Sequence, residues 1–264
     1  MVELRLDRDS LLNHIRDEEQ ILSMRKLLDK LEIVLNKHIV ESTDFFDPYQ
    51  RRLAKSILNR FVQISYRELG GIDEAERKVI QIYPEYLQED TIELPINSLE
   101  IKGSISTLSH RDFLGGILNL GINREKVGDI LIHEDSAQVV VKKEVFGYIL
   151  TNLTKIGRQK VSVREIAMDK LKLGLLEYED ISTTVSSLRL DALISSTWNL
   201  SRKASQGLIE SKRVKVNWEP IMRVSKEIAE GDIVSVKGYG RFILNSVKGI
   251  SRRGRIKIGL RLLK

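Results

Sequence analysis

The chain has 264 residues, 42% hydrophobic and 30% charged, a balance that fits globular domains and more than one buried core. It has no cysteine, which excludes disulfides, thiolate metal sites and thiol nucleophiles, and no apolar run approaches the length of a membrane-spanning helix. The net charge of +6 is uneven: residues 189–264 carry 17 Lys+Arg against 6 Asp+Glu, while residues 1–188 carry 26 against 31, the footprint of a nucleic-acid-binding module on a mildly acidic body.

The opening MVELRLDRDS lacks the apolar segment of a secretory signal, so a cytoplasmic protein is expected. Residues 8–41 read as helical, with Leu11, Leu12, Ile15, Leu22, Leu27, Leu28, Leu31, Val34 and Leu35 near the 3.6-residue period. Glu41 to Asp44 reads as a loop, and Pro48 suits the first turn of a helix through about Asn59. Phe45, Phe46 and Tyr49 are expected to pack in a core or between domains rather than form an exposed patch. A strand over Phe61–Tyr66 and a turn at Gly70-Gly71 complete a mainly helical domain, residues 1–73.

A second unit, residues 74–168, begins with a strand at Val79–Tyr83. From residue 96 the pattern is strand, helix, strand, strand, helix, strand: Ile96–Ile101, Ser109–Leu120, Gly128–Ile132, Ala137–Val141, Lys143–Leu153 and Val161–Val163. That is the ferredoxin-like order, shared by RNA recognition motifs. Such motifs stack bases on aromatics of their central strands, and the corresponding strands here have none. Arg111, Arg124 and Lys126 are candidates for secondary RNA contacts, or for pairing with Asp112, Glu125 and Asp129 nearby.

Residues 169–188 read as a linker with an acidic core at Glu177, Glu179 and Asp180. Two short helices and a strand follow over Arg189–Asn217, with Ser201 at the N-cap of the second helix. Arg202 and Lys203 then fall in the first helical turn, where partial positive charge disfavours cations unless an outside anion such as a phosphate is held there. Ile233–Val236 and Arg241–Leu244 flank Gly238-Tyr239-Gly240 as a hairpin. A further hairpin runs from Ile250 to Leu262, with Arg252, Arg253 and Arg255 at its solvent-exposed tip. Trp198 and Trp218 are read as core residues rather than stacking platforms.

The blocks Arg189-Leu190-Asp191, Ser201-Arg202-Lys203-Ala204, Gln206, Leu208-Ile209-Glu210, Val214-Lys215-Val216-Asn217 and Gly231-Asp232 resemble the S-four RNA-binding domain, named after ribosomal small-subunit protein four. Lys212 departs from that pattern, which often has Gly there. Residues His110 to Gly116 and Leu120 to Ile130 resemble the signature of the bacterial YlmH family, and the order of the three units is similar too. The resemblance implies an α+β protein with three units: mainly helical, ferredoxin-like (RRM-like) and, over residues 189–264, S-four. It also implies association with the large ribosomal subunit and with tRNA still attached to a nascent chain, in rescue of stalled translation, and genes that neighbour cell-division genes.

No catalytic set holds. His14, His38, His110 and His133 are dispersed, and neither a nucleophile elbow nor a Walker loop occurs. S-four pseudouridine synthases use an Asp in a Gly-Arg-Leu-Asp context, whereas Arg189-Leu190-Asp191 follows Leu188. The expectation is a non-enzymatic protein without cofactor or metal, binding structured rRNA or tRNA through Arg189, Asp191, Ser201, Arg202, Lys203, Gln206, Lys212, Arg213, Lys215, Arg252, Arg253 and Arg255. Asp191 is expected to orient Arg189 or accept a 2′-hydroxyl. The alternatives are an RNA-modifying enzyme with an unrecognised site, or a cell-division scaffold.

Overall fold

The computed structural model describes residues 5–174 and 178–263. The chain divides into two compact units, Met1–Leu175 and Leu176–Lys264. Glu177, read above as part of a linker, lies outside the described residues.

The first unit opens with α1 (Arg8–Leu12) and α2 (Glu18–Lys37). The helical run expected over 8–41 is thus split, because Asp17 serves as an N-cap, accepting from the Gln20 amide at 3.2 Å. His38, at φ +56, ends α2 in the left-handed conformation. Glu41–Ser42, read as loop, is a short strand, β1. In α3 (Pro48–Leu58), Asp47 and Gln50 close a capping box, and Pro48 takes the first turn as its fixed φ favours. Strands β2 (Ile64–Leu69) and β3 (Val79–Pro84) follow, and the sheet order is β1-β3-β2. β3 is therefore the middle strand of the N-terminal sheet, not the opening of a second unit at residue 74. Its alternate residues Ile80 and Ile82 pack on Leu27, Leu28 and Ile57 from the helices.

Strand β4 (Ile96–Gly103), α4 (His110–Leu118), β5 (Val127–Ile132), β6 (Ser136–Lys142), α5 (Lys143–Asn152), β7 (Lys155–Ile156) and β8 (Gln159–Ile166) make an antiparallel sheet of order β5-β6-β4-β8-β7. Without β7 this is the ferredoxin-like arrangement. Leu99, Ile101, Val139 and Val141 face Phe113, Ile117 and Ile149 of the helices. The other face, which an RNA recognition motif would offer to bases, is covered from within the unit: Phe45, Val79 and Leu171 pack on Leu131 and Val140. Gln138 fixes the covering segment, donating to the Lys170 carbonyl at 3.2 Å and accepting from the Lys172 amide at 2.8 Å. Phe45 lies so close to β5 that a Cβ at Gly128 would sit 2.7 Å from its ring.

The second unit consists of β9 (Tyr178–Val185), α6 (Leu190–Trp198), α7 (Arg202–Glu210), β10 (Val214–Val216), β11 (Glu219–Pro220), β12 (Ile233–Val236), β13 (Gly240–Ile250) and β14 (Ile256–Leu263). Its sheet order is β11-β10-β12-β13-β14-β9. β9 corrects the linker reading: residues 178–185 pair along β14 from Tyr178↔Leu263 to Val185↔Ile256. Asp180, read as part of the linker's acidic core, accepts from Arg261 Nε at 2.9 Å. Leu190, Leu193, Ile194, Leu208 and Ile209 form the helical side of the core, against Val234, Phe242, Leu244, Ile258 and Leu260. Trp198 packs on that core, its ring 5.5 Å from Phe242.

Candidate RNA-binding surface

Arg189 is held at the start of α6 by main-chain pairing. The Leu190 amide donates to the Lys226 carbonyl at 2.8 Å, and the Ile228 amide to the Leu188 carbonyl at 3.0 Å. Asn199, left-handed at φ +51, stops α6, and Ser201 opens α7, accepting from the Ala204 amide at 3.1 Å. Leu208 and Ile209 bury one face of α7, which leaves Arg202, Lys203 and Gln206 on its outer side.

The centre of the surface is Asp191, whose side chain is 0% exposed. It accepts from Arg189 Nε and Nη2, both at 3.2 Å, from Arg202 Nη2 at 2.7 Å and from Gln206 Nε2 at 3.2 Å. Burial pushes its pKa up, but the hydrogen bonds from Arg189 and Gln206 and the charges of Arg202 and Arg189 outweigh burial, so the carboxyl titrates below its ordinary range. The expected contact of Asp191 with a 2′-hydroxyl does not fit this enclosure; its other expected role, orienting Arg189, extends to Arg202 and Gln206. The two arginines keep side-chain exposures of 40% and 42%, leaving guanidinium edges for an outside anion. Lys203 pairs with no carboxylate among the described residues.

Past α7 the chain turns at Lys212, whose φ of +58 is the left-handed backbone that glycine adopts without strain. Arg213 Nη2 donates to the Lys237 carbonyl at 2.9 Å, and Lys215 lies in β10. Asn217 and Trp218, at φ +49 and +65, make the tight turn from β10 to β11. Asn217 Nδ2 donates to Asp232 at 2.8 Å, and its Oδ1 accepts from the Ile233 amide at 3.0 Å. The Asn217 and Gly231-Asp232 blocks thus brace the fold, a lock that spacing alone did not reveal. Trp218 is no core residue of this unit: Arg241 lies over its ring at 5.8 Å.

The basic hairpin tip is only partly as expected. Arg252 and Arg253 are exposed, but Arg255 turns back on β9, donating from Nε to Thr184 Oγ1 at 3.0 Å and from Nη2 to the Thr184 carbonyl at 2.6 Å. In the first unit Arg111 is exposed on α4, while Arg124 donates to the Val127 carbonyl. Lys126 pairs with Asp44 at 2.6 Å and Glu144 at 2.5 Å, not with the neighbours in sequence that were the alternative. Asp129 instead accepts from the Glu76 and Arg77 amides.

Two family models match the chain: "Putative RNA-binding domain in YlmH" over residues 88–170 and "S4 domain" over residues 188–234. "Ribosome-associated protein quality control protein P2" of Bacillus subtilis (strain 168) is 31% identical over 247 residues, 93% of this chain and 95% of the relative. The solved structure "Cell division protein ylmH from Streptococcus pneumoniae" is similar with a TM-score of 0.52 and 26% identity, over 60% of this chain and 97% of that one. With such identity along nearly its whole length, and with an S-four domain after the YlmH domain, the chain belongs to the YlmH family of RNA-binding proteins.

Proposed function

We propose that this protein binds structured rRNA or tRNA through the α6–α7 surface and the basic residues around it, and acts without catalysis in quality control of stalled translation. The observation that carries the reading is the gathering of Arg189, Arg202 and Gln206 on one buried carboxylate beside Lys203, in a region of net charge +11. Fixed donors on a helix and its approach, rather than an enclosed pocket, suit a phosphate backbone. Ser201, Lys212, Arg213, Lys215, Arg252 and Arg253 extend the surface; Arg255 holds the hairpin tip, and Arg111 is the exposed candidate in the first unit. The name of the Bacillus relative supports the ribosome as the setting. The large subunit and peptidyl-tRNA, in the cytoplasm, are the specific partners of this proposal. Among the described residues no helix is long and apolar enough to cross a membrane. The name of the Streptococcus structure favours a second reading, a scaffold in cell division.

Titration of labelled rRNA and tRNA fragments over a range of salt concentrations tests RNA binding. Arg202→Glu would place two carboxylates together at Asp191, so the informative variant combines Arg202→Gln with Lys203→Glu. It should weaken binding by roughly tenfold or more at moderate salt and flatten the salt dependence. Unchanged affinity in a folded variant would overturn the site. Binding to cell-division proteins that survives nuclease and loss of residues 178–264 would favour the scaffold.

A further inference from the structure

Tyr239 stands in the turn between β12 and β13, 43% exposed, with Gly238 and Gly240 on either side at φ +92 and +121. Its amide donates to the Val236 carbonyl at 3.0 Å, so the turn is closed. Trp198 supports the ring at 5.7 Å and itself rests on Phe242. Arg213 is tied twice to the same turn. Its carbonyl accepts from the Lys237 amide at 2.9 Å, and its Nη2 donates to the Lys237 carbonyl at 2.9 Å. A Cβ at position 238 would lie 3.1 Å from that Nη2, so glycine leaves the guanidinium its place. Residues 211–218 and 237–243 together contain five Lys or Arg and no Asp or Glu. The turn also lies beyond residues 188–234, the span matched as an S-four domain.

A tyrosine needed only to close the core would be buried like Phe242. Here nearly half of the residue is left in water, on a fixed turn, beside a guanidinium that is also fixed. An aromatic face for a base and cations for the flanking phosphates are the two elements with which proteins hold unpaired nucleotides. We propose that Tyr239 is a stacking platform for an unpaired RNA base, with Arg213 and Lys237 taking the adjacent phosphates. The platform rests on the RNA-binding reading above and narrows its substrate class to RNA that presents an unpaired base.

The test uses the full chain and two labelled RNAs in fluorescence anisotropy: a stem–loop, and a blunt duplex of the same stem. The wild type should bind the stem–loop at least about fivefold more tightly. Tyr239→Phe should keep that preference, because the ring remains. Tyr239→Leu, which still fills the space beside Trp198, should lose it while its affinity for the duplex stays the same; thermal melting checks that it is folded. Equal binding of both RNAs by the wild type, or a preference that survives in Tyr239→Leu, would overturn the platform and leave the RNA-binding reading standing. Binding of neither RNA would remove both.

Discussion

Asp191 decides how the surface is built. A carboxylate with no exposure, surrounded by two guanidiniums and an amide, fixes side chains that would otherwise move freely in water. Asp191→Asn keeps the shape and removes the charge. Affinity for RNA should fall by roughly three- to tenfold, because Arg189, Arg202 and Gln206 are no longer held in one arrangement. A rise in affinity would mean that Asp191 only neutralises the arginines. Asp191 also ties stability to pH. Its folded pKa is depressed, so its contribution is present above the ordinary carboxylate range and is lost as pH falls through the folded value. The residues themselves were legible in the sequence, because Arg189, Asp191, Arg202 and Gln206 belong to one motif. Their convergence was not: Arg202 and Gln206 meet Asp191 across 11 and 15 positions, and only packing of α6 on α7 creates that contact.

At the level of strands and helices, periodicity located α3, α4, α5, α6 and α7 well, since each buries one regular face. It failed for β9. Glu179 and Asp180 made residues 178–185 read as a linker, although Ile181, Thr183, Thr184 and Val185 are strand formers; their partner, β14, comes some 75 residues later, at Arg261 for Asp180 and Ile256 for Val185. β3 failed in another way. Its apolar run was recognised, but the sheet that it joins was not, because partnership is absent from local pattern. The correction has a direct consequence. A fragment of residues 178–264 should fold alone and melt in one transition. A fragment starting at residue 189 loses the whole edge strand and Thr184, the anchor of Arg255, and should melt at least roughly 5 °C lower or fail to fold. Equal melting temperatures for the two fragments would show that β9 is dispensable.

Across the whole molecule, charge and burial divide the work. The five-stranded sheet of the first unit lacks the open face that a related fold offers to bases, because Phe45, Val79 and Leu171 cover it. The missing aromatics in its central strands pointed the same way, though nothing in the sequence said what would cover them. Lys142 lies at the end of β6, 5% exposed, donating to Ser42 Oγ at 2.6 Å and to the Thr43 carbonyl at 2.9 Å. Burial lowers its pKa to about 8. Below that value it is charged in both folded and unfolded chains. Between about 8 and the ordinary 10.5 the unfolded chain holds the extra proton, so stability should rise with pH over that window. Denaturation midpoints of the wild type against Lys142→Met, which should lack this rise, would check it. A parallel pH dependence in the two would contradict it.

Sedimentation of ribosomes from a cell lysate, with the full chain detected across the gradient at low and moderate salt, bears most directly on the proposed function. The wild type should travel with the large subunit and detach as salt rises, while the protein carrying Arg202→Gln and Lys203→Glu should stay at the top. A wild-type protein that remains at the top in every condition, or a variant that sediments as the wild type does, would contradict ribosomal RNA recognition by this surface.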